Sequence, residues 1–509
     1  MRTKNVAYGS LATALTSIIT LLSGLIIPRQ IILAFGSELN GISNSITQFI
    51  SYFNLLEAGL AGSAIYALYK PYAQKDFQAI NGILSASKRY YDRISLMYLG
   101  GVIIFSAVFS LQNTLILPRM EVFLLSVAIG IGGVLQFSTM AKYRVLLTAT
   151  QKTYVVALAT SASIITKIIV VYVALLCNSS IIVVKLLAAL TILVRSLILY
   201  IYVRKHYKQV SYAEQPTKDA LQQRGDVLLS QVLGSIQKAF PTIAMTITGI
   251  GYSTISIYTV YMSVIIGVRS VLDVILNGSI YSTFGEIISL GQYDVLHKAL
   301  SKFEVLCYGL ISILFSCLLV LFMPFMNIYA QGMADANYIQ PNLAFFLVLS
   351  TFVAVIRYPL SAMIQAAGHY RKTRSRTITQ ASIAVVFALL LAKPFGLYGL
   401  LAGFLASDLY FTITVLEYVP HKITRTSSWV SVKRILITIA AILISWLTWE
   451  ALFTIQPASY IVWFLYAMVV GLWSLLVTTI LNLLGNPRES KELWKMAKKL
   501  LYKMRLLGA

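Results

Sequence analysis

Apolar windows of about 20 residues recur along this chain, and that is the length an α-helix needs to cross a hydrocarbon core of about 30 Å. They run from residue 8 to residue 484 with no polar interdomain linker of the kind soluble chains carry. Backbone groups in lipid find no water, so each window must satisfy its own N–H and C=O groups as a helix. Low-charge stretches fall at 8–35, 41–68, 94–112, 120–141, 153–176, 182–203, 226–250, 254–281, 303–327, 341–367, 377–392, 397–418, 434–453 and 459–484. Composition agrees: 58% of residues are hydrophobic and 12% charged, against about 45–50% and about 25% in soluble domains. The sequence predicts an all-α polytopic membrane protein of about 14 transmembrane helices.

A net charge of +23 would suit a nucleic-acid binder if the charges were gathered on one surface. They are not. With the N-terminus placed in the cytoplasm, 32 of the 41 Lys and Arg fall in or at the edge of inner segments. Two, Arg119 and Lys393, fall in outer ones, and seven lie within spans. Lys and Arg concentrate in cytoplasmic loops, so this bias places both termini inside and implies no nucleic-acid partner. The first window is too long for a signal-peptide core, and Pro28-Arg29 replaces the small residues of a cleavage site, so it reads as a retained span. Cys177, Cys307 and Cys317 have no metal-ligand spacing and read as apolar filler.

The chain carries an internal repeat. Pro28, Gly36 and Ile42-Ser43 recur as Pro241, Gly249 and Ile255-Ser256 at a constant offset of 213. Leu56-Glu57 faces Leu272-Asp273 at 216, and Lys152-Thr153 faces Lys372-Thr373 at 220. Six spans per repeat is an even number, so both copies run the same way through the membrane, as in transporters built of parallel repeats. The expected plan is two pseudo-symmetric six-helix lobes, 1–203 and 226–418, joined by a basic cytoplasmic linker at 204–225. A terminal transmembrane pair at 419–484 and a basic amphipathic tail at 485–509 follow.

Catalytic chemistry leaves little trace. No HExxH, Walker-type GxxxxGK[ST] or paired-histidine motif occurs, and the longest outer loop, about 328–340, holds one acid, Asp335. No catalytic residue, metal ligand or cofactor is implied, and the reading is a non-enzyme. The charges inside the spans carry the chemistry instead. A cation at the bilayer centre costs about 2.5–3.5 kcal/mol on insertion scales. Lys185 lies a turn from the outer end of its span and can snorkel. Arg195, Lys238, Arg269 and Arg357 fall near mid-depth, and Arg29 and Lys167 in the outer half. The deep acids are Glu57, Asp273 and Asp408, candidates to set cavity charge or hold a coupling cation, H+ or Na+. Arg269 and Asp273, spaced i and i+4, can alternatively pair along one helix face. Prolines at 28, 241 and 359 lie beside three of the cations, where a helix break is tolerated if it lines a cavity. A cationic cavity next to lipid fits a phosphate-bearing amphiphile, because guanidinium and ammonium groups donate charge-assisted hydrogen bonds to its oxygens.

Four strings resemble a known family: Arg2-Thr3-Lys4-Asn5; Leu55-Leu56-Glu57-Ala58-Gly59-Leu60 with Ser63-Ala64-Ile65; Arg357-Tyr358-Pro359 with Ala366-Ala367-Gly368-His369-Tyr370-Arg371-Lys372-Thr373; and Phe395-Gly396-Leu397-Tyr398-Gly399-Leu400-Leu401-Ala402-Gly403. Over residues 3–420 the chain resembles the Wzx-type polysaccharide flippases of the multidrug/oligosaccharidyl-lipid/polysaccharide exporter superfamily. The resemblance implies two six-helix lobes that flip undecaprenyl-diphosphate-linked oligosaccharide across the bacterial cytoplasmic membrane. Arg29, Lys167, Arg195, Lys238, Arg269 and Arg357 would then contact the diphosphate or sugar, with a polysaccharide polymerase and assembly proteins as partners. The last two spans depart from a twelve-span plan and are similar to the terminal pair of lipid II flippases. Flipping of lipid II or teichoic-acid precursors therefore stays open, as does cation-coupled multidrug export. A membrane glycosyltransferase or polymerase is the rival from another class. In the tail, Leu493, Ala497, Leu500, Leu501 and Met504 form one apolar face amid six Lys and Arg, a helix suited to an anionic leaflet.

Overall fold

Eleven helices among the described residues are long and apolar enough to cross a membrane. The computed structural model describes residues 2–57, 60–111, 116–214, 234, 239–276, 279–453 and 456–507. Three features carry eleven to the fourteen expected. Window 41–68 is broken into α2 (Ser37–Ser51), a 3-10 turn (Tyr52–Glu57) and α3 (Leu60–Gln74). Most of window 226–250 lies outside the described residues, with 239–247 helical. Windows 377–392 and 397–418 form the two helical arms of Tyr370–Val419, separated by a sharp turn at Gly396. A straight helix of 50 residues would be about 75 Å long, more than twice the hydrocarbon thickness. Gly396 turns the chain back with φ 57° and ψ −135°, angles a side chain would resist. Ser407 Oγ then reaches the Gln380 carbonyl at 2.8 Å, so the two arms lie side by side. The chain is a multi-pass all-α membrane protein of about fourteen spans.

The described residues form two compact units, Met1–Val264 and Ile265–Ala509. In the first, α1 (Arg2–Phe35) packs along α7 (Thr153–Leu176), tied by Thr16 Oγ1 to Ser161 Oγ at 2.9 Å and to the Ala157 carbonyl at 3.0 Å. The outer face of α1 shows Leu11, Leu15, Ile18 and Leu22, an exposed apolar stripe at helical spacing that belongs against lipid. α4 (Phe77–Ser110) packs on α5 (Arg119–Leu135), which passes through a π turn (Gln136–Met140) into α6 (Ala141–Ala149). α8 (Ile181–Leu190) and α9 (Ile192–His206) complete this group. Ile42, Ile46, Leu60, Ala64, Leu84 and Met140 make its buried centre. The repeat-matched glycines Gly36 and Gly249 adopt φ 86° and 76°. Beyond each of them α2 and α10 (Tyr252–Leu276) begin, and Asn40 bonds Ser256 at 2.8 Å while Asn44 bonds Thr259 at 2.9 Å. Of the expected linker 204–225, residues 207–214 lie on α4, where Asn81 takes the Ser211 N–H at 2.9 Å and donates to Glu214 Oε1 at 2.8 Å.

In the second unit, α11 (Ser279–Ser289) precedes α12 (Tyr293–Tyr329). α13 (Pro341–Ile356) and α14 (Tyr358–Ala366) share one span, and α15 is the bent Tyr370–Val419 run. The terminal pair, α16 (Ser428–Leu452) and α17 (Tyr460–Gly485), packs on α12. Indole donors fix that contact: Trp449 Nε1 to Tyr466 Oη at 2.7 Å, and Trp463 Nε1 to the Leu321 carbonyl at 3.2 Å. The tail is helix α18 (Pro487–Leu507).

Candidate functional site

Glu57 ends the 3-10 turn and has been drawn out of the helix ladder toward α4 and α6. Tyr91 donates to its Oε1 at 2.9 Å, and Arg144 pairs with the same oxygen. Arg144 sits on α6 four residues past the π turn, a local helix irregularity common at functional positions. Arg195, on α9, lies within electrostatic reach of Arg144, and its Nε is buried with no hydrogen-bond partner among the described residues. This cluster holds two guanidinium groups and one carboxylate. Lys167 on α7 and Lys185 on α8 lie within electrostatic reach of one another, and neither makes an ion pair among the described residues. Arg29 is half-buried on α1, one residue past Pro28.

The second unit repeats the pattern with different residues. Arg357 stands at the break between α13 and α14, where Pro359 opens the new helix. Its guanidinium reaches Asp408 Oδ1 at 3.0 Å and Thr412 Oγ1 at 3.2 Å, and stacks 5.1 Å from the Phe411 ring centre. Gln380 donates to the same Asp408 oxygen at 3.2 Å. Beside it, Arg269 Nε donates to the Tyr358 hydroxyl and its guanidinium lies 5.4 Å from that ring. Arg269 and Arg357 are close enough to repel, so again two cations share one acid. Lys238 and the side chain of Asp273 lie outside the described residues.

Of the expected site residues, the structure thus groups Arg195 with Glu57, and Arg269 with Arg357 and Asp408. Sequence reasoning missed Arg144 because it lies three residues past the window ending at 141 and was assigned to an inner loop. The signal was available: Glu57 falls inside a span and needs a cation. A third cluster was missed for the same reason. Arg434 stands at the first residue of its window and is 6% exposed, paired with Glu304, itself 1% exposed. Ser431 donates to Glu304 at 2.8 Å, and Glu489 from α18 accepts from Arg434 at 3.1 Å and from Ser301 at 2.6 Å. Lys302 and Glu492, 2.5 Å apart, extend the contact. Here two carboxylates surround one arginine, and they pin the start of the tail to α12 and α16.

No family model and no curated protein matches the sequence. Solved structures match the backbone closely. The lipid II flippase MurJ in an inward closed conformation aligns with a TM-score of 0.65 at 14% identity, over 93% of this chain and 98% of its own. An inward-facing multidrug resistance MATE family transporter of the MOP superfamily aligns at 0.62 and 14%, over 82% and 98%. A MOP superfamily transporter from Pyrococcus furiosus, described as having a binding pocket of reverse polarity, aligns at 0.54 and 14%, over 83% and 96%. The chain has the fold that MATE transporters and the flippase MurJ share within the MOP superfamily.

Proposed function

We propose that the protein is a flippase carrying undecaprenyl-diphosphate-linked oligosaccharide repeat units from the inner to the outer leaflet of the bacterial cytoplasmic membrane, by alternating access, for capsule or exopolysaccharide assembly. The observation that carries this reading is that, among the described residues, Arg144 and Arg195 gather at the single carboxylate Glu57, and Arg269 and Arg357 at the single carboxylate Asp408. Glu57 and Asp408 are each already paired with an arginine, and Arg195 makes no ion pair among the described residues, which leaves it to bind an anion. Guanidinium groups offer paired donors to phosphate oxygens. An organic cation would meet repulsion at the same places, which counts against multidrug export. The MurJ alignment reaches 93% of the chain where the MATE alignment reaches 82%, which supports a lipid carrier with helices beyond the common twelve. The strings around Glu57, Arg357 and Gly396 favour the repeat-unit substrate over lipid II.

A diphosphate moving outward from a negative interior is helped by the field, about 2.3 kcal/mol per charge per 100 mV. Proteoliposomes loaded with a fluorescent lipid-diphosphate oligosaccharide test the proposal. Flipping should require the protein and slow when valinomycin and potassium collapse the potential. Transport of a cationic dye with no lipid flipping would overturn it, and preference for lipid II over the oligosaccharide lipid would reassign the substrate.

A further inference from the structure

A cavity of about 550 Å³ opens on the first unit between the π turn with α6 on one side and α9 on the other. Its rim includes Leu193 and Leu197, 41% and 56% exposed. Leu193 and Leu197 lie on a helix long and apolar enough to cross a membrane, and their exposed side chains suit an acyl chain. Arg144 and Arg195 leave the same two helices on other faces and do not line it.

The floor of the groove is polar. Ser138 bonds the Val134 carbonyl at 3.0 Å, Thr139 the Leu135 carbonyl at 2.6 Å, and Ser196 donates to Thr139 at 2.6 Å. Those protons are used internally. Lys142 is different: it makes no ion pair among the described residues, and its Nζ stands 5.4 Å from the Tyr143 ring centre. Lys88 and Asp92 act on it from a distance and offset one another in sign. Tyr200 lines the same groove, and Arg204 donates to its hydroxyl with the guanidinium 5.6 Å from the ring. Lys142, Tyr143 and Tyr200 thus line one end of the groove, the two tyrosine rings 6.1 Å apart, and Arg204 adjoins it through Tyr200. Basic pockets between helices on the cytoplasmic side hold anionic head groups, and tyrosine settles at headgroup level.

We propose that this groove binds an anionic glycerophospholipid of the basic-side leaflet, its phosphate held by Lys142 and Arg204 and one acyl chain lying along Leu193 and Leu197. The exposed leucines at the rim suit a molecule that stays in its leaflet. The site does not depend on what the protein transports.

Native mass spectrometry of the full-length protein in detergent tests this, with phosphatidylglycerol, phosphatidylethanolamine, undecaprenyl phosphate and inorganic phosphate as separate probes. Phosphatidylglycerol should be retained, with the zwitterionic lipid about tenfold weaker. The double variant Lys142→Ala/Arg204→Ala should lose phosphatidylglycerol about tenfold. Leu197→Trp, which fills the groove and keeps both charges, should weaken it too, and keeps the test open if the double variant fails to fold. Equal retention by the wild type and Leu197→Trp would overturn the proposal. So would tighter retention of undecaprenyl phosphate, or binding of free phosphate as strong as that of the lipid.

Discussion

Arg434 and Arg195 are both arginines in helical bundles whose Nε is buried without a hydrogen-bond partner among the described residues, and what differs is the charge of their neighbours. Arg434 meets two carboxylates, Glu304 and Glu489, and donates to the Ser301 hydroxyl, while Ser431 donates to Glu304. Arg195 meets a second arginine, and the nearby carboxylate, Glu57, is already bonded to Arg144 and Tyr91. The contrast teaches that burial of a charge does not separate structure from function. The ratio of cations to acids does. A cluster with acids to spare balances its own charge and holds helices in register, whereas one with cations to spare is balanced only when an anion arrives.

The sharpest way to break this contrast is to take one partner from the satisfied cluster. Removing one member of a buried pair leaves an uncompensated charge and costs about 3–5 kcal/mol. Glu304→Gln and Arg434→Leu should each lower the unfolding midpoint in detergent strongly, and Glu304→Leu/Arg434→Met should regain most of it. A double variant as unstable as the singles would show that the charges are not what the cluster depends on. Arg357 and Asp408 come next. Hydrogen bonds to charged groups are worth about 1.5–3 kcal/mol, so Arg357→Ala should destabilise by that order and Arg357→Gln/Asp408→Asn by less. The same thermal scans check it.

Arg269→Lys should leave stability nearly unchanged but slow transport a few-fold. An ammonium cannot reproduce the planar guanidinium over Tyr358, a contact worth about 0.5–1 kcal/mol at an exposed site. Proteoliposome flipping rates read this directly. The smallest expected effect concerns His369, in the bend before α15, whose Nδ1 lies 3.1 Å from the Tyr418 hydroxyl and Nε2 3.1 Å from Lys372. Burial, then the Lys372 charge, hold its pKa below the ordinary histidine value. The folded state therefore favours neutral His369. Its stabilising share is present above a pH of about 6.5 and lost as pH falls through the lowered value. An NMR titration of the labelled imidazole should give a midpoint below that of a free histidine; a midpoint above it would contradict the contact with Lys372.

The spans were legible because lipid leaves the sequence little freedom: each crossing demands its own apolar window, and the bend at Gly396 announces itself through Pro394 and a loss of apolarity at Lys393. The break in 41–68 was not legible, since its apolar content is continuous while the backbone leaves the α-helix at Tyr52 to bring Glu57 toward Tyr91 and Arg144. Charges were legible by depth but not by partner. Arg144 and Arg434 lie at window edges, where loop membership looks natural, yet α6 and α16 carry them on as helix into contact with acids far away in sequence. The repeat-matched Gly36 and Gly249 were legible because a positive φ makes the same demand on the sequence in both places. Pairing across helices makes no such repeated demand on the sequence.

The account rests on the unfilled cation cluster, and one paired measurement tests it most directly. Arg195→Ala and Glu304→Leu/Arg434→Met are reconstituted at equal density, with flipping of the lipid-diphosphate oligosaccharide and the unfolding midpoint recorded for each. Arg195→Ala removes no hydrogen bond or ion pair to the described residues, so it should unfold where the wild type does and flip about tenfold more slowly, a loss of about 1.4 kcal/mol. The double variant should flip at the wild-type rate per folded molecule. An Arg195→Ala protein that flips as fast as the wild type would contradict the central claim.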